Sequence, residues 1–121
     1  MGLNADIVQR GWEAVGRGDW DALIADYTED MRFIMPGQTD VLEGQRNFRQ
    51  ALEGIGDILP PGFDITSMRH IEGNDEVVSI FEWKSNKIPE GTQSAVLFKM
   101  TGGKVHEERW FIDTVQWKAA F

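Results

Sequence analysis

GNDEVVSIFEWKSNKIPEGTQSAVLFKMTGGKVHEERWFID, residues 73–113, decides the fold. Gly73-Asn74-Asp75 turns the chain into an alternating run over Glu76–Ser85. A looser loop around Pro89-Glu90-Gly91 leads to a second run, Gln93–Thr101. Gly102-Gly103 is a two-residue hairpin signal into a third, Lys104–Asp113. Connections this short join antiparallel neighbours, and Phe63–Ile71 alternates in the same way just upstream.

Ahead of this block the period is helical. Residues 3–17 read as a helix capped by Asn4, with Ile7, Gly11 and Val15 on one stripe and Val8 beside it. Gly16 and Gly18 end it, and Asp19 caps a shorter helix whose Trp20, Leu23, Ile24 and Tyr27 share a face. Met31, Phe33 and Met35 then alternate with Arg32 and Ile34 as a strand, which Pro36-Gly37 stops. From Glu43 the helical period returns through Phe48, Leu52, Ile55 and Leu59, until Pro60-Pro61-Gly62 ends it. The order predicts one α+β domain over residues 1–121, with three N-terminal helices packed on one face of a curved, mostly antiparallel sheet.

Alternation gives the last strand two faces: Val105, Glu107, Arg109, Phe111 and Asp113 on one, His106, Glu108, Trp110 and Ile112 on the other. The preceding strand sets Val96, Phe98 and Met100 against Ala95, Leu97 and Lys99. Large apolar groups on both faces predict a second subunit over the outer one, a homodimer with Trp110 and Ile112 at its interface.

The 121 residues are 41% hydrophobic and 11% aromatic, with five Trp, enough to build a core. Twelve basic against twenty acidic residues leave a net charge of −8, which disfavours nucleic acid and anionic membrane surfaces. No cysteine means no disulfide, no thiolate metal site and no cysteine nucleophile. The opening MGLNADIVQR has no basic cluster followed by an apolar stretch, and no apolar run approaches the roughly 18 residues of a membrane span. A soluble, cytoplasmic protein is expected.

The segment VQRGWEAVGRGDWDALIADYTEDMRFIMPG, followed by Glu43-Gly44 and closed by KVHEERWFIDT, resembles the nuclear transport factor 2-like superfamily, above all its ketosteroid isomerase-like and SnoaL-like branches. The resemblance rests on the Gly18-Asp19 turn, the acidic Glu29-Asp30, Pro36-Gly37 and the glycine before the third helix. It implies a cone-shaped α+β barrel enclosing a cavity. It also carries departures: Gly11 stands where ketosteroid isomerases have a donor tyrosine, and Met35 where they have the proton-shuttling aspartate. Neither side chain can donate or take a proton at neutral pH, so that reaction is not expected.

The same resemblance places Gly11 and Met35 in the cavity, and it offers Tyr27, Phe33, Phe111 and the aromatic walls Trp12, Trp20, Phe48, Phe81 and Trp83 as pocket candidates. For any one of these the commoner role is plain core. Asp113 matches the acid/base aspartate of the SnoaL-like branch, and a carboxylate at the edge of an apolar cavity has its charged form disfavoured. Its competing role is to cap the strand end or pair with Arg109. Arg109, on the same face, could hold an oxyanion, or else pair with Glu107. Tyr27 is the third catalytic candidate, as a hydroxyl donor.

His70 and His106 lie on different strands without convergent carboxylates, so no metal is expected. Ser79 and Ser94 have no nucleophile-elbow context, so a Ser-His-Asp triad is set aside; Gly54-x-Gly56 falls inside a helix, so no nucleotide cofactor is expected. Two functional readings follow. One is a cofactor-independent isomerase, cyclase, dehydratase or hydrolase acting on a small apolar or polyketide-like molecule, in which Asp113→Asn abolishes turnover. The other is a non-catalytic homodimeric module that binds a small ligand or a protein.

Overall fold

Gly73-Asn74-Asp75 and Gly102-Gly103 pair the strands they join, and the helices cover one face of the resulting sheet. The structure, a computed structural model, describes residues 2–36 and 41–121. Its elements run α1 (Leu3–Arg17), α2 (Trp20–Ile24), β1 (Tyr27–Ile34), β2 (Leu42–Glu43), α3 (Gln45–Glu53), α4 (Ile55–Ile58), β3 (Asp64–Gly73), β4 (Glu76–Ser85), β5 (Ile88–Thr101), β6 (Lys104–Phe111) and α5 (Thr114–Ala119). The strands form one curved six-stranded sheet in the order β2-β1-β6-β5-β4-β3. Strands β3 to β6 are an antiparallel meander, and β1 returns to lie parallel to β6. The α+β class is as expected.

The core lies between the helices and the inward sheet face. Ile7, Val8, Leu23, Phe48 and Leu52 from the helices meet Met31, Phe81, Trp83, Val96 and Phe98 from the strands, all buried. At about 25 cal/mol per Å², each such side chain contributes on the order of 2 kcal/mol by leaving water.

Several local expectations are corrected. Asn4 is not the cap of α1; Gly2 is, and the Ala5 N–H donates to the Glu72 carboxylate of β3 at 2.6 Å. A Cβ on Gly2 would lie 1.7 Å from a Glu72 oxygen, so only glycine lets that carboxylate reach the helix end. Asp19 does cap α2, accepting from Ala22 N. Tyr27 belongs not to the α2 face but to β1, which starts four residues ahead of Met31. The helix read from Glu43 onward is in fact β2, then α3 and α4 divided at Gly54. Residues 89–91 are strand rather than loop, with Gly91 at φ 85°. Gly37 lies outside the described residues.

The consequential difference is in β6. Lys99 pairs with Glu107, but the next pair is Met100 with Val105, so His106 is an extra, bulged residue. Beyond a bulge every side chain changes face. Val105 points inward, and so do Glu108 and Trp110, whereas Glu107, Arg109 and the half-exposed Phe111 point outward. The strand also stops at Phe111, and Asp113 becomes the N-cap of the unforeseen helix α5. The expected assignment of Arg109 and Asp113 to the cavity side, and of Trp110 and Ile112 to the outer side, is therefore inverted.

Candidate functional site

A cavity of about 330 Å³ opens between the helices and the inward sheet face. Its walls come from α1 (Ile7, Gly11, Trp12), α3 (Phe48, Leu52), the sheet (Phe33, Phe98, Trp110) and α5 (Trp117). Gly11 serves two purposes: a Cβ there would come within 3.3 Å of Leu23, so glycine lets α1 settle onto α2 while leaving room in the cavity. Nearly all of the lining is apolar or aromatic, the composition of a small-molecule site.

Two buried polar side chains, a carboxyl and a phenol, stand within these walls. Glu108 is 6% exposed and Tyr27 3% exposed, and both line the cavity. The Tyr27 hydroxyl donates to Glu108 Oε1, and Trp110 Nε1 donates to Glu108 Oε2 at 2.7 Å. Tyr27 is fixed in turn by its backbone, whose carbonyl accepts from Gln45 Nε2 at 2.7 Å, and by ring contact with Phe48 at 5.2 Å.

Burial pushes the Glu108 carboxyl above its usual range, and the two hydrogen bonds, which favour its charged form, oppose that shift without cancelling it. Burial likewise raises the Tyr27 hydroxyl well above its usual value, with the Glu108 charge adding to the effect. Both shifts favour the protonated forms: Tyr27 keeps its own proton, and Glu108 holds one to higher pH than an ordinary carboxyl does. Such a group can donate a hydrogen bond to a carbonyl oxygen or exchange a proton with a neighbouring carbon acid.

The sequence candidates divide around this centre. Tyr27, Gly11, Trp12, Phe33, Met35 and Phe48 line the cavity. Trp20, Phe81 and Trp83 do not; Phe81 and Trp83 are fully buried core, and Trp20 packs against that core from outside. Phe111 is half exposed on the outer face. Arg109 lies there too, 3.5 Å from Glu107, which also meets Arg32 and Lys99. Asp113 Oδ1 accepts from Val115 N and Gln116 N at 3.0 Å and is held as a helix cap. Glu108 was missed, although the sequence held a signal for it. Glu107-Glu108 are adjacent acids in a strand, and alternation must turn one of them inward.

Among the described residues no group of three or more His, Asp or Glu converges as a metal site, and no helix is long and apolar enough to cross a membrane.

Solved structures share this architecture at low identity. A protein of unknown function with a cystatin-like fold from Xanthomonas campestris superimposes with a TM-score of 0.80 at 21% identity, over 97% of this chain and 96% of that chain. A candidate polyketide cyclase from Xanthomonas campestris pv. campestris gives 0.79 at 18%, over 98% and 96%. An NTF2-like protein from Burkholderia xenovorans LB400 gives 0.75 at 20%, over 98% and 95%. No curated protein matches the chain significantly in sequence. Residues 8–110 match the SnoaL-like domain, and the chain belongs to that family, within the NTF2-like fold.

Proposed function

We propose that the protein binds a small, largely apolar molecule and catalyses its isomerisation or cyclisation by acid/base chemistry, with Glu108 as the proton carrier and Tyr27 as the hydrogen-bond donor to the developing oxyanion. The observation that carries this reading is a buried, raised carboxyl directed into an apolar cavity of about 330 Å³. Similarity to a candidate polyketide cyclase agrees with it. In the forward step a substrate C–H gives its proton to Glu108, which frees the Tyr27 hydroxyl from the carboxylate; electron density moves to the carbonyl oxygen, and that oxygen accepts the Tyr27 proton as a hydrogen bond in place of Glu108. Return of the proton to another carbon completes an isomerisation.

A direct test uses a neutral bicyclic ketone, 1-tetralone, in deuterated water. Wild type is expected to accelerate exchange of the α-hydrogens, and Glu108→Gln to slow it by about 100-fold or more, the lower range for loss of a general base. Exchange that is unaffected by Glu108→Gln overturns the assignment.

Binding without turnover is the second reading, favoured by the fact that both Glu108 oxygens already accept hydrogen bonds from the protein. It predicts ligand binding in wild type with no exchange above buffer.

We further propose that two copies pair through the outer sheet face. Register aligns Ile71, Val78 and Leu97 across β3, β4 and β5, and Ile80, Ala95 and Phe111 across β4, β5 and β6. Ile71 and Phe111 are each 50% exposed, so this apolar band lies open in one copy. The same band on a second copy is a self-complementary cover for it.

A further inference from the structure

Outside the Tyr27–Glu108–Trp110 group, four side chains form an unbroken polar chain that the proposed chemistry does not use. Trp12 Nε1 lies 3.1 Å from Ser79 Oγ, Ser79 Oγ lies 2.8 Å from His70 Nδ1, and His70 Nε2 lies 2.6 Å from Gln9 Oε1. An indole N–H can only donate and an amide oxygen can only accept, so with His70 neutral the directions are set from the two ends together. Ser79 accepts from Trp12 and gives its single proton to His70 Nδ1. The imidazole proton then sits on Nε2 and is donated to Gln9. With His70 neutral, every donor in the chain has an acceptor.

Ser79 is fully buried and cannot meet a ligand, so its hydroxyl is a support and not a nucleophile. The group it supports does meet the cavity. Trp12 forms part of the wall, with its ring 5.5 Å from Phe81, 6.1 Å from Phe98 and 6.0 Å from Trp110, the donor to Glu108.

We infer that the Gln9–His70–Ser79 chain is a positioning device for the ligand cavity, holding the Trp12 indole in the wall while His70 is neutral and releasing it when His70 takes up a proton. This rests on the reading of the cavity as a ligand site. A proton on Nδ1 turns that atom from acceptor to donor. Ser79 Oγ then faces two donors, its own proton is turned into the dry interior, and its bond to Trp12 weakens.

The charged groups around His70 do not offset this. Glu76, Glu82 and Lys84 of β4 and Arg69 of β3 project from the opposite sheet face. Glu72 of β3 is engaged at the start of α1, and Arg10 of α1 is engaged with Asp26. On α1, Asp6 and Glu13 lie one turn either side of Gln9, and Arg17 closes the helix. Burial is the cause that holds the imidazole below its usual value.

The test follows the Trp12 indole resonance by nitrogen-15 NMR, assigned with Trp12→Phe, together with titration by the neutral dye N-phenyl-1-naphthylamine. Both are read at about pH 7.5 and at a lower pH, below the usual histidine value, where the His70 ring resonances show it protonated. Ser79→Ala is expected to shift the Trp12 resonance, strip its exchange protection and weaken dye binding by about tenfold at the higher pH, an effect the size of one positioning hydrogen bond. Gln9→Ala, at the outer end of the chain, is expected to do the same more weakly. Wild type should acquire the Trp12 change on acidification, and Ser79→Ala should show no further change.

A Trp12 resonance and dye affinity unmoved by Ser79→Ala overturn the proposal. So does a wild-type resonance that is flat across that pH range. Wild type that binds no dye, yet moves its Trp12 resonance as expected, overturns the ligand reading and supports the hold on Trp12.

Discussion

Glu108 and Trp110 lie two residues apart on β6, and Trp110 Nε1 donates to Glu108 Oε2 at 2.7 Å. Residues i and i+2 of a strand share a face, so the ring that walls the cavity also fixes the carboxyl inside it. With Tyr27 on the other oxygen, Glu108 has a single orientation, toward the space a ligand would fill.

Replacing Glu108 by Gln has a pH-dependent effect on stability. The folded carboxyl is raised from 4.5, so the folded state binds its proton more tightly than the unfolded chain. That contribution is complete below pH 4.5 and is lost as pH rises through the raised value, at about 1.4 kcal/mol for each tenfold difference in proton affinity. The melting temperature of Glu108→Gln relative to wild type is expected to climb with pH across that window. A difference that is flat with pH contradicts the raised value.

Tyr27→Phe removes a hydrogen bond that favours the charged carboxylate. Glu108 is therefore expected to move further up, carrying the acidic limb of the α-hydrogen exchange profile to higher pH. The lost donor should cost about 1–3 kcal/mol in denaturant unfolding. A profile unmoved in pH would separate Tyr27 from the proton carrier.

Asp113→Asn is expected to leave both stability and exchange activity within about twofold of wild type, because asparagine caps a helix as well as aspartate does. Asp113→Ala should cost about 1 kcal/mol by freeing the start of α5. Loss of activity in Asp113→Asn with folding intact, measured by circular dichroism and exchange, would return the acid/base role to this residue.

Glu72→Ala takes the acceptor from the Ala5 N–H at the start of α1, and is expected to destabilise by about 0.5–2 kcal/mol, the range for a lost helix cap. Gly2→Ala should reproduce much of that loss by pushing the carboxylate away. Chemical denaturation of both variants, alone and combined, checks this: their effects are expected to be less than additive.

Phe111→Asp places a charge at the β6 end of the outer apolar band. Sedimentation is expected to show a dimer for wild type and a monomer for the variant at micromolar concentration, with dye binding unchanged. A wild-type monomer at that concentration contradicts the pairing.

Much of the fold was legible because the turn residues are explicit. Gly73-Asn74-Asp75 and Gly102-Gly103 fixed the meander, and β4 was located to the residue. Helix α1 was likewise bounded by its stripe and by Gly18, whose φ of 69° closes it. The site was less legible for one physical reason. A bulge at His106 leaves no mark in a hydrophobic pattern, yet it exchanges the two faces of everything after it, so Arg109 and Asp113 were placed where Glu108 and Trp110 stand. The Ala5–Glu72 contact, between residues 67 apart in sequence, was beyond any local pattern. Asp113 itself was legible as a cap, but of a helix hidden by a short, mixed sequence.

The most direct measurement is a carbon-13 NMR titration of the Glu108 side-chain carboxyl in the wild-type protein, assigned with Glu108→Gln. The account predicts a midpoint above the usual carboxylate value of 4.5, and a further rise in Tyr27→Phe. A midpoint at or below that value, unmoved by Tyr27→Phe, would contradict the claim that the cavity holds a proton-carrying acid.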